Sequence, residues 1–112
     1  LSLMYHPDVV ALHRVLMTSA CSATRMNEVF WQAGPAPTLD ALATLLARFD
    51  TDGQLDVSDP DRAADQFFAM LKGGDHLRTV LGVGAPPDKA ALAALANDTV
   101  ATFLRAYAPP NV

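Results

Sequence analysis

Hydrophobic residues recur along this chain at steps of three and four, which is the spacing of one face of an α-helix. Pro7 and Asp8 mark the start of the first helix, because proline suits the first turn and a carboxylate suits the positive end of the helix dipole. The apolar stripe of this helix runs to about Ala20. After a patch of small residues at 19–24, a shorter second helix is predicted, with apolar positions at Met26, Val29, Phe30 and Ala33.

The third and fourth helices each follow a clear break. Glycine and two prolines at 34–37 interrupt the second helix, and Thr38 can cap the third. The pair Asp59-Pro60 is the strongest start signal in the sequence. The helix that it opens is predicted to cross Gly73-Gly74 and to continue to Leu81.

Asp88 is predicted to cap the last helix, which ends before Pro109. Residues 54–58 form a short extended connection, and no segment shows a convincing strand pattern. Five helices of roughly ten to twenty residues predict an all-α fold, an antiparallel helical bundle. We expect a single domain over residues 1–112.

Composition limits the partners and the location of the chain. The formal net charge is -4, and the 8 lysines and arginines are spread along the sequence, so we expect no nucleic-acid binding by this chain itself. A single cysteine, Cys21, cannot form an internal disulfide and fits a reducing cytoplasm. The apolar runs are too short to span a membrane, and no signal-peptide pattern occurs. A first residue of Leu1 rather than methionine suggests a truncated chain.

The sequence offers little catalytic or metal-binding chemistry. No cysteine or carboxylate pair has ligand spacing with His6 and His13, so His6 is interpreted as a helix cap and His13 as a partly buried side chain. Asp50 and Asp52 have the spacing of two aspartates in a calcium-binding loop. The first position of that loop would be Arg48, a cation, and the twelfth would be Asp59 rather than glutamate, so a calcium site is not expected. Cys21 has no general base beside it. We therefore expect no enzyme activity, no metal and no cofactor.

The last two predicted helices are apolar over more than one face, which a helix with a single covered face does not need. The glycines of the pair Gly73-Gly74 cost about 1 kcal/mol each relative to alanine inside a helix. Close approach of another helix would recover this cost; alternatively, the pair ends one helix and starts another. Asn97 and Thr99 either fix the register of a symmetric interface, as polar residues do in coiled coils, or face water.

Several short motifs stand in a fixed order from about His6 to Pro109. The central motif reads Gly53-x-Leu55-x-Val57-x-Asp59-Pro60-x-x-Ala63-Ala64-x-x-Phe67, then Leu71-x-Gly73 and His76-Leu77-Arg78-x-x-Leu81-Gly82. It is preceded by Phe30-Trp31-x-Ala33-Gly34-Pro35 and followed by Phe103-Leu104-x-x-Tyr107. Together these motifs resemble the C-terminal domains of TetR-type regulators of the AefR-like group.

The resemblance implies a small-molecule pocket among the middle helices and a homodimer through the last two. It also implies an N-terminal helix-turn-helix domain, absent from this chain, through which DNA would be bound.

Methionine and aromatic side chains suit an adaptable apolar cavity. On this basis the candidate ligand-binding residues are Met4, His13, Met17, Met26, Phe30, Trp31, Phe67, Phe68 and Met70. The polar handles are expected to be His13 and Trp31. The candidate dimer-interface residues are Leu71, Gly74, Leu77, Arg78, Leu81, Ala93, Asn97, Val100 and Leu104.

The sequence therefore suggests the ligand-sensing and dimerisation domain of a bacterial TetR-type regulator, most simply a repressor that a small apolar effector releases from DNA. The expected partners are a second copy of the chain and this effector, with no membrane. The alternative is a helical dimerisation or adaptor module with a filled core and no ligand, since methionine and aromatic residues at helical spacing also suit a plain core.

Overall fold

The computed structural model describes residues 2–18 and 24–110. Within these ranges every regular element is a helix, which confirms the predicted all-α fold. A 3-10 turn at Ser2–Tyr5 precedes five α-helices: α1 at Pro7–Thr18, α2 at Thr24–Ala33, α3 at Pro35–Thr51, α4 at Pro60–Leu81 and α5 at Lys89–Ala106. Residues 19–23, which include Cys21, lie outside the described ranges.

Side chains that accept hydrogen bonds begin three of the helices, as the sequence predicts. The Asp59 carboxylate accepts from the backbone N–H of Arg62 at 3.1 Å, and the Asp88 carboxylate accepts from that of Ala91 at 2.8 Å. At the start of α1, His6 Nδ1 accepts from a backbone N–H at 3.2 Å. These bonds satisfy donors that the first turn of a helix leaves without partners.

The predicted cap at Thr38 is wrong, because α3 begins three residues earlier, at Pro35. Gly34 occupies the cap position, and the Thr38 hydroxyl lies inside the helix, where it donates to the Gly34 carbonyl at 2.8 Å. The N–H groups of the first turn of a helix have no acceptor within the helix, so a proline there removes no intrahelical hydrogen bond. The predicted break after the second helix is present, since α2 ends at Ala33, but the prolines lie in the first turn of α3 rather than in a loop before it.

The main core lies between α3 and α4, where Ala63 and Ala64 are completely buried. Leu55 and Val57, in the connection between these helices, close the core. The backbone N–H of Val57 donates to the Asp50 carboxylate at 2.8 Å, so this aspartate orders the connection. Phe103 of α5 packs into the same cluster.

Helix α4 is kinked at Gly73, whose φ of 49° and ψ of -165° are not helical. The sequence alternative in which one helix ends and another starts at the glycine pair thus describes the backbone at this point. Within the described residues, no other helix lies within 4 Å of a Cβ added at Gly73 or Gly74, where the neighbouring group is the Arg78 guanidinium. The protomer itself therefore gives no close helix approach at this pair.

Helix α1 is attached to the second half of α4 through Arg14. Its guanidinium donates to the carbonyls of Val80, at 2.5 Å, and Thr79, at 3.0 Å. The last carbonyls of a helix lack intrahelical partners and carry the negative end of its dipole. Arg14 thus holds the end of α4 against the helix that lines the cavity described below.

Candidate functional site

A cavity of about 570 Å³ lies among the N-terminal turn, α1, α2, the start of α3 and the first half of α4. Its walls are mainly apolar and aromatic. The lining residues are Leu3, Met4, Val9, Leu12, His13, Phe30, Trp31, Gly34, Pro35, Thr38, Leu39, Asp65, Phe68, Ala69 and Lys72. This volume lies in the range of small-molecule sites, which is roughly 300–1,000 Å³.

The structure brings a subset of the predicted ligand-binding residues to this cavity. Those that line it are Met4, His13, Phe30, Trp31 and Phe68. Phe67 and Met70 instead pack against the core between α3 and α4. Met17 is 58% exposed and lies outside the lining, and the side chain of Met26 falls outside the described part of the chain.

A row of edge-to-face rings leads from the cavity into the protein. The centroid of His13 lies 5.5 Å from that of Phe30 and 5.3 Å from that of His76. Tyr5 follows, with its ring 5.5 Å from His76. His76 is 5% exposed and was not predicted as a site residue. Its place in a charged stretch between Asp75 and Arg78 gives no signal of burial.

Both imidazoles of this row favour the neutral form. Burial and the nearby ammonium of Lys72 lower the pKa of His13. Burial, His13 and Lys72 lower the pKa of His76, while a backbone hydrogen bond with Met4 opposes this shift. The Nε2 atom of His76 and the hydroxyl of Tyr5 are buried without a hydrogen-bond partner among the described residues. Burial also raises the pKa of Tyr5, as does the charge of Asp75, while Arg78 lowers it.

A second, open groove of about 740 Å³ adjoins the cavity. It shares Trp31, Leu39 and Asp65 with the cavity wall, and its remaining lining residues are Asp40, Asp61, Arg62 and Gln66. Three carboxylates and one guanidinium make this groove predominantly acidic. Among the described residues, no group of three histidines, cysteines or acidic residues is arranged to hold a metal ion.

The candidate dimer-interface residues are almost all exposed in the protomer. Leu77 and Leu81 of α4 are 50% and 65% exposed, and Leu104 of α5 is 49% exposed. Gly74, Arg78, Ala93, Asn97 and Val100 are also exposed, whereas Leu71 is partly buried. Thr99 is 5% exposed in the protomer, so neither of the two alternatives for it, a position in a symmetric interface or a position in water, describes this residue.

In the part of the chain that the structure describes, no helix combines the length and the apolar character needed to cross a bilayer.

Comparison with known families and structures places the chain among transcription regulators. The family model of the AefR-like transcriptional repressor C-terminal domain matches residues 1–109. No curated protein matches the chain significantly. Among solved structures, the flavonoid-responsive regulator FrrA is 26% identical, with a TM-score of 0.80 over 96% of this chain and 55% of that one.

A TetR-family transcriptional regulator from Mesorhizobium loti MAFF303099 is 20% identical and supports the fold, with a TM-score of 0.86 over 96% of this chain and 53% of that one. The chain thus spans about half the length of either protein. The predicted family is confirmed, and it is a family of regulators rather than enzymes. This chain belongs to the AefR-like C-terminal domains of TetR-type transcriptional regulators.

Proposed function

We propose that this chain senses a small apolar or amphipathic effector and dimerises, within a regulator that is most simply a repressor released from DNA by the effector. The observation that carries the proposal is the cavity of about 570 Å³ with its ring-lined walls. Its walls include the exposed apolar side chains of Leu3, Leu12 and Trp31, and a contiguous apolar surface that remains in contact with water is typical of a ligand-binding site. The cavity therefore favours the effector-sensing function over the adaptor alternative.

The second half of the proposal is a homodimer through α4 and α5. Leu77 and Leu81 are four residues apart, as are Val100 and Leu104, so each pair lies along one face of its helix. These four leucine and valine side chains are exposed in the protomer. Burial of such stripes against their symmetry copies would remove apolar surface from water and would complete a four-helix interface.

The kink in α4 offers a route from the cavity to this interface. Lys72, which lines the cavity, and Gly74, a candidate interface residue, flank Gly73 directly. An effector that fits one arrangement of the two halves of α4 better than another would shift the population toward that arrangement. Operator half-sites lie at a fixed separation, so a change in the spacing of two DNA-binding domains would weaken DNA binding. Those domains would belong to the part of the relatives' length that this chain does not span.

The flavonoid-responsive regulator suggests which compounds to test first. That protein, which is 26% identical to this chain, is named for its response to flavonoids. A fused aromatic scaffold also suits the walls of this cavity, where Phe30, Trp31 and Phe68 lie. We therefore include flavonoids in the first set of candidate effectors.

Thermal-shift screening of lipophilic compounds tests the proposal, followed by calorimetry of the hits. We expect a compound that raises the melting temperature with a stoichiometry of one per chain. Ala69→Leu narrows the cavity and should abolish the shift, whereas Ala41→Leu, an exposed position on α3 outside the lining, should retain it. A uniformly flat screen, or hits that bind the Ala69→Leu variant unchanged, would favour the adaptor alternative.

A further inference from the structure

The cavity wall is electrically polar along its length. Of the described residues that line it, Asp65 and Lys72 are the two with a full charge at neutral pH. They are seven residues apart on the first half of α4, which corresponds to about 10 Å along a helix axis. Phe68 and Ala69 lie between them. One end of the cavity is therefore cationic, the other end is acidic, and the middle is apolar.

Lys72 has no counter-charge at its end of the cavity. Within the described ranges, the ion pairs are those of His6 with Asp8 and of Arg78 with Asp75, and none involves Lys72. His13 also lines the cavity and lies close enough to Lys72 for the ammonium to lower its pKa. In the free protein, water solvates this ammonium, because the side chain is exposed. An effector that covers the cavity removes part of that water, and the loss is offset best by a negative charge on the effector itself.

His13 can add a hydrogen bond to such a charge. A neutral imidazole has one N–H donor, and its ring already stands edge-on to Phe30 at the cavity wall. Asp65, at the other end, repels a second negative group. Together with the rings of Trp31 and Phe68, these features select the number of charges on the effector and the end at which the charge lies.

Building on the proposed function, we infer that the effector is an aromatic monoanion, whose carboxylate or phenolate binds at Lys72 and His13 while its rings lie against Phe30, Trp31 and Phe68. The acidic group sets the orientation in the cavity, and a donor such as a hydroxyl suits the end beside Asp65. The family membership alone does not specify a charge on the effector; the charge follows from the arrangement of Lys72, His13 and Asp65 in this chain.

Three probes of nearly equal shape test this inference: biphenyl-4-carboxylate, the neutral biphenyl-4-carboxamide and the cationic biphenyl-4-methylammonium. Binding is measured at pH 7.5 by calorimetry and by the fluorescence of Trp31, which is the one tryptophan of the sequence and lies in the cavity wall. We expect the carboxylate to bind about ten-fold more tightly than the amide, the order of effect of a hydrogen bond to a charged group. The ammonium probe should bind most weakly.

Lys72→Gln supplies the decisive variant, because it removes the charge and keeps most of the length of the side chain. Lys89→Gln, at the start of α5 and outside the lining, is the matched control. The inference requires that the preference for the carboxylate disappears in Lys72→Gln and persists in Lys89→Gln. Equal binding of acid and amide to the wild type, or a preference that survives in Lys72→Gln, overturns the anionic effector but leaves the cavity as a binding site. Absence of binding by all three probes, together with a flat screen, overturns both this inference and the proposed function.

Discussion

Replacement of Gly73 by alanine should destabilise this chain, although the same replacement inside a regular helix normally stabilises it. The backbone of Gly73 has a φ of 49° and a ψ of -165°, a region that residues with a Cβ rarely adopt. No neighbouring group lies within 4 Å of an added Cβ, so the obstacle is the backbone conformation rather than a clash. Gly74 provides a matched control, since it is adjacent in sequence and its φ is not positive.

The two glycines should respond with opposite signs. Forcing alanine into the Gly73 conformation costs about 1–3 kcal/mol. A straightened α4 would avoid this strain but would displace the buried His76 and Val80. Gly74→Ala should instead gain up to about 1 kcal/mol of helix propensity. This gain is reduced because its Cβ would lie 3.1 Å from the movable end of the Arg78 side chain.

Urea unfolding followed by circular dichroism measures the difference. It is repeated at several protein concentrations, because the stability of a self-associating protein depends on its concentration. We expect Gly73→Ala to be less stable than Gly74→Ala by about 1–4 kcal/mol in the limit of low concentration. A Gly73→Ala variant as stable as the wild type, or more stable, would show that the kink is not enforced and would remove the proposed route between cavity and interface.

Three further predictions concern the ends and the interior of the helices. The pKa values of His13 and His76 are lowered in the folded chain, so the unfolded chain binds protons first as the pH falls below about 6.5. The free energy of unfolding, measured in urea, should therefore decrease there by up to about 1.4 kcal/mol per pH unit for each histidine. A flat profile between pH 7.5 and 5.5 would contradict this. Arg14→Met removes two hydrogen bonds to the end of α4. It should lower the free energy of unfolding in urea by about 1–2 kcal/mol, after allowance for the exposure of Arg14, whereas Arg25→Met, at an exposed position, should unfold like the wild type. Asp88→Ala removes the side-chain acceptor that begins α5 and should cost about 1 kcal/mol, or roughly 4–8 °C in melting temperature; an unchanged melting temperature would exclude a contribution from this cap.

Helix starts were predictable from sequence where one residue both stops the preceding segment and caps the next helix. Asp59 and Asp88 are of this kind, and each accepts the hydrogen bond that the sequence implies. Thr38 was wrongly predicted as a cap, because a capping residue must precede the first turn, and α3 already begins at Pro35. Proline at 35 and 37 signals either a break or a start, and local sequence does not decide between the two.

The cavity was harder to predict than the helices because neighbouring residues on a helix face different surroundings. Phe67 and Phe68 differ by about 100° around the axis of α4, so one joins the core and the other reaches the cavity. Residue type alone could not distinguish these two phenylalanines. The surroundings of His76 are set by tertiary structure, since its ring partners Tyr5 and His13 lie in the N-terminal part of the chain.

The candidate dimer surface was easier to predict from the sequence than the cavity was. The excess of apolar faces on the last two helices is visible in the sequence, and the structure leaves Leu77, Leu81 and Leu104 exposed in the protomer. Thr99, for which the sequence left an interface position and a position in water open, is instead buried in the protomer together with Leu92 and Phe103 of the same helix. Sequence periodicity thus indicates that a second surface exists more reliably than it assigns each residue to that surface.

Sedimentation equilibrium gives the clearest test of the proposed homodimer. The wild-type chain should have twice the mass of one protomer at micromolar concentration, and Leu104→Asp, which places two carboxylates in the proposed interface, should sediment as a folded monomer. Val29→Asp, at an exposed apolar position of α2 away from that surface, should remain dimeric. A wild-type chain that stays monomeric at high concentration, or a Leu104→Asp variant that dimerises like the wild type, would contradict the account.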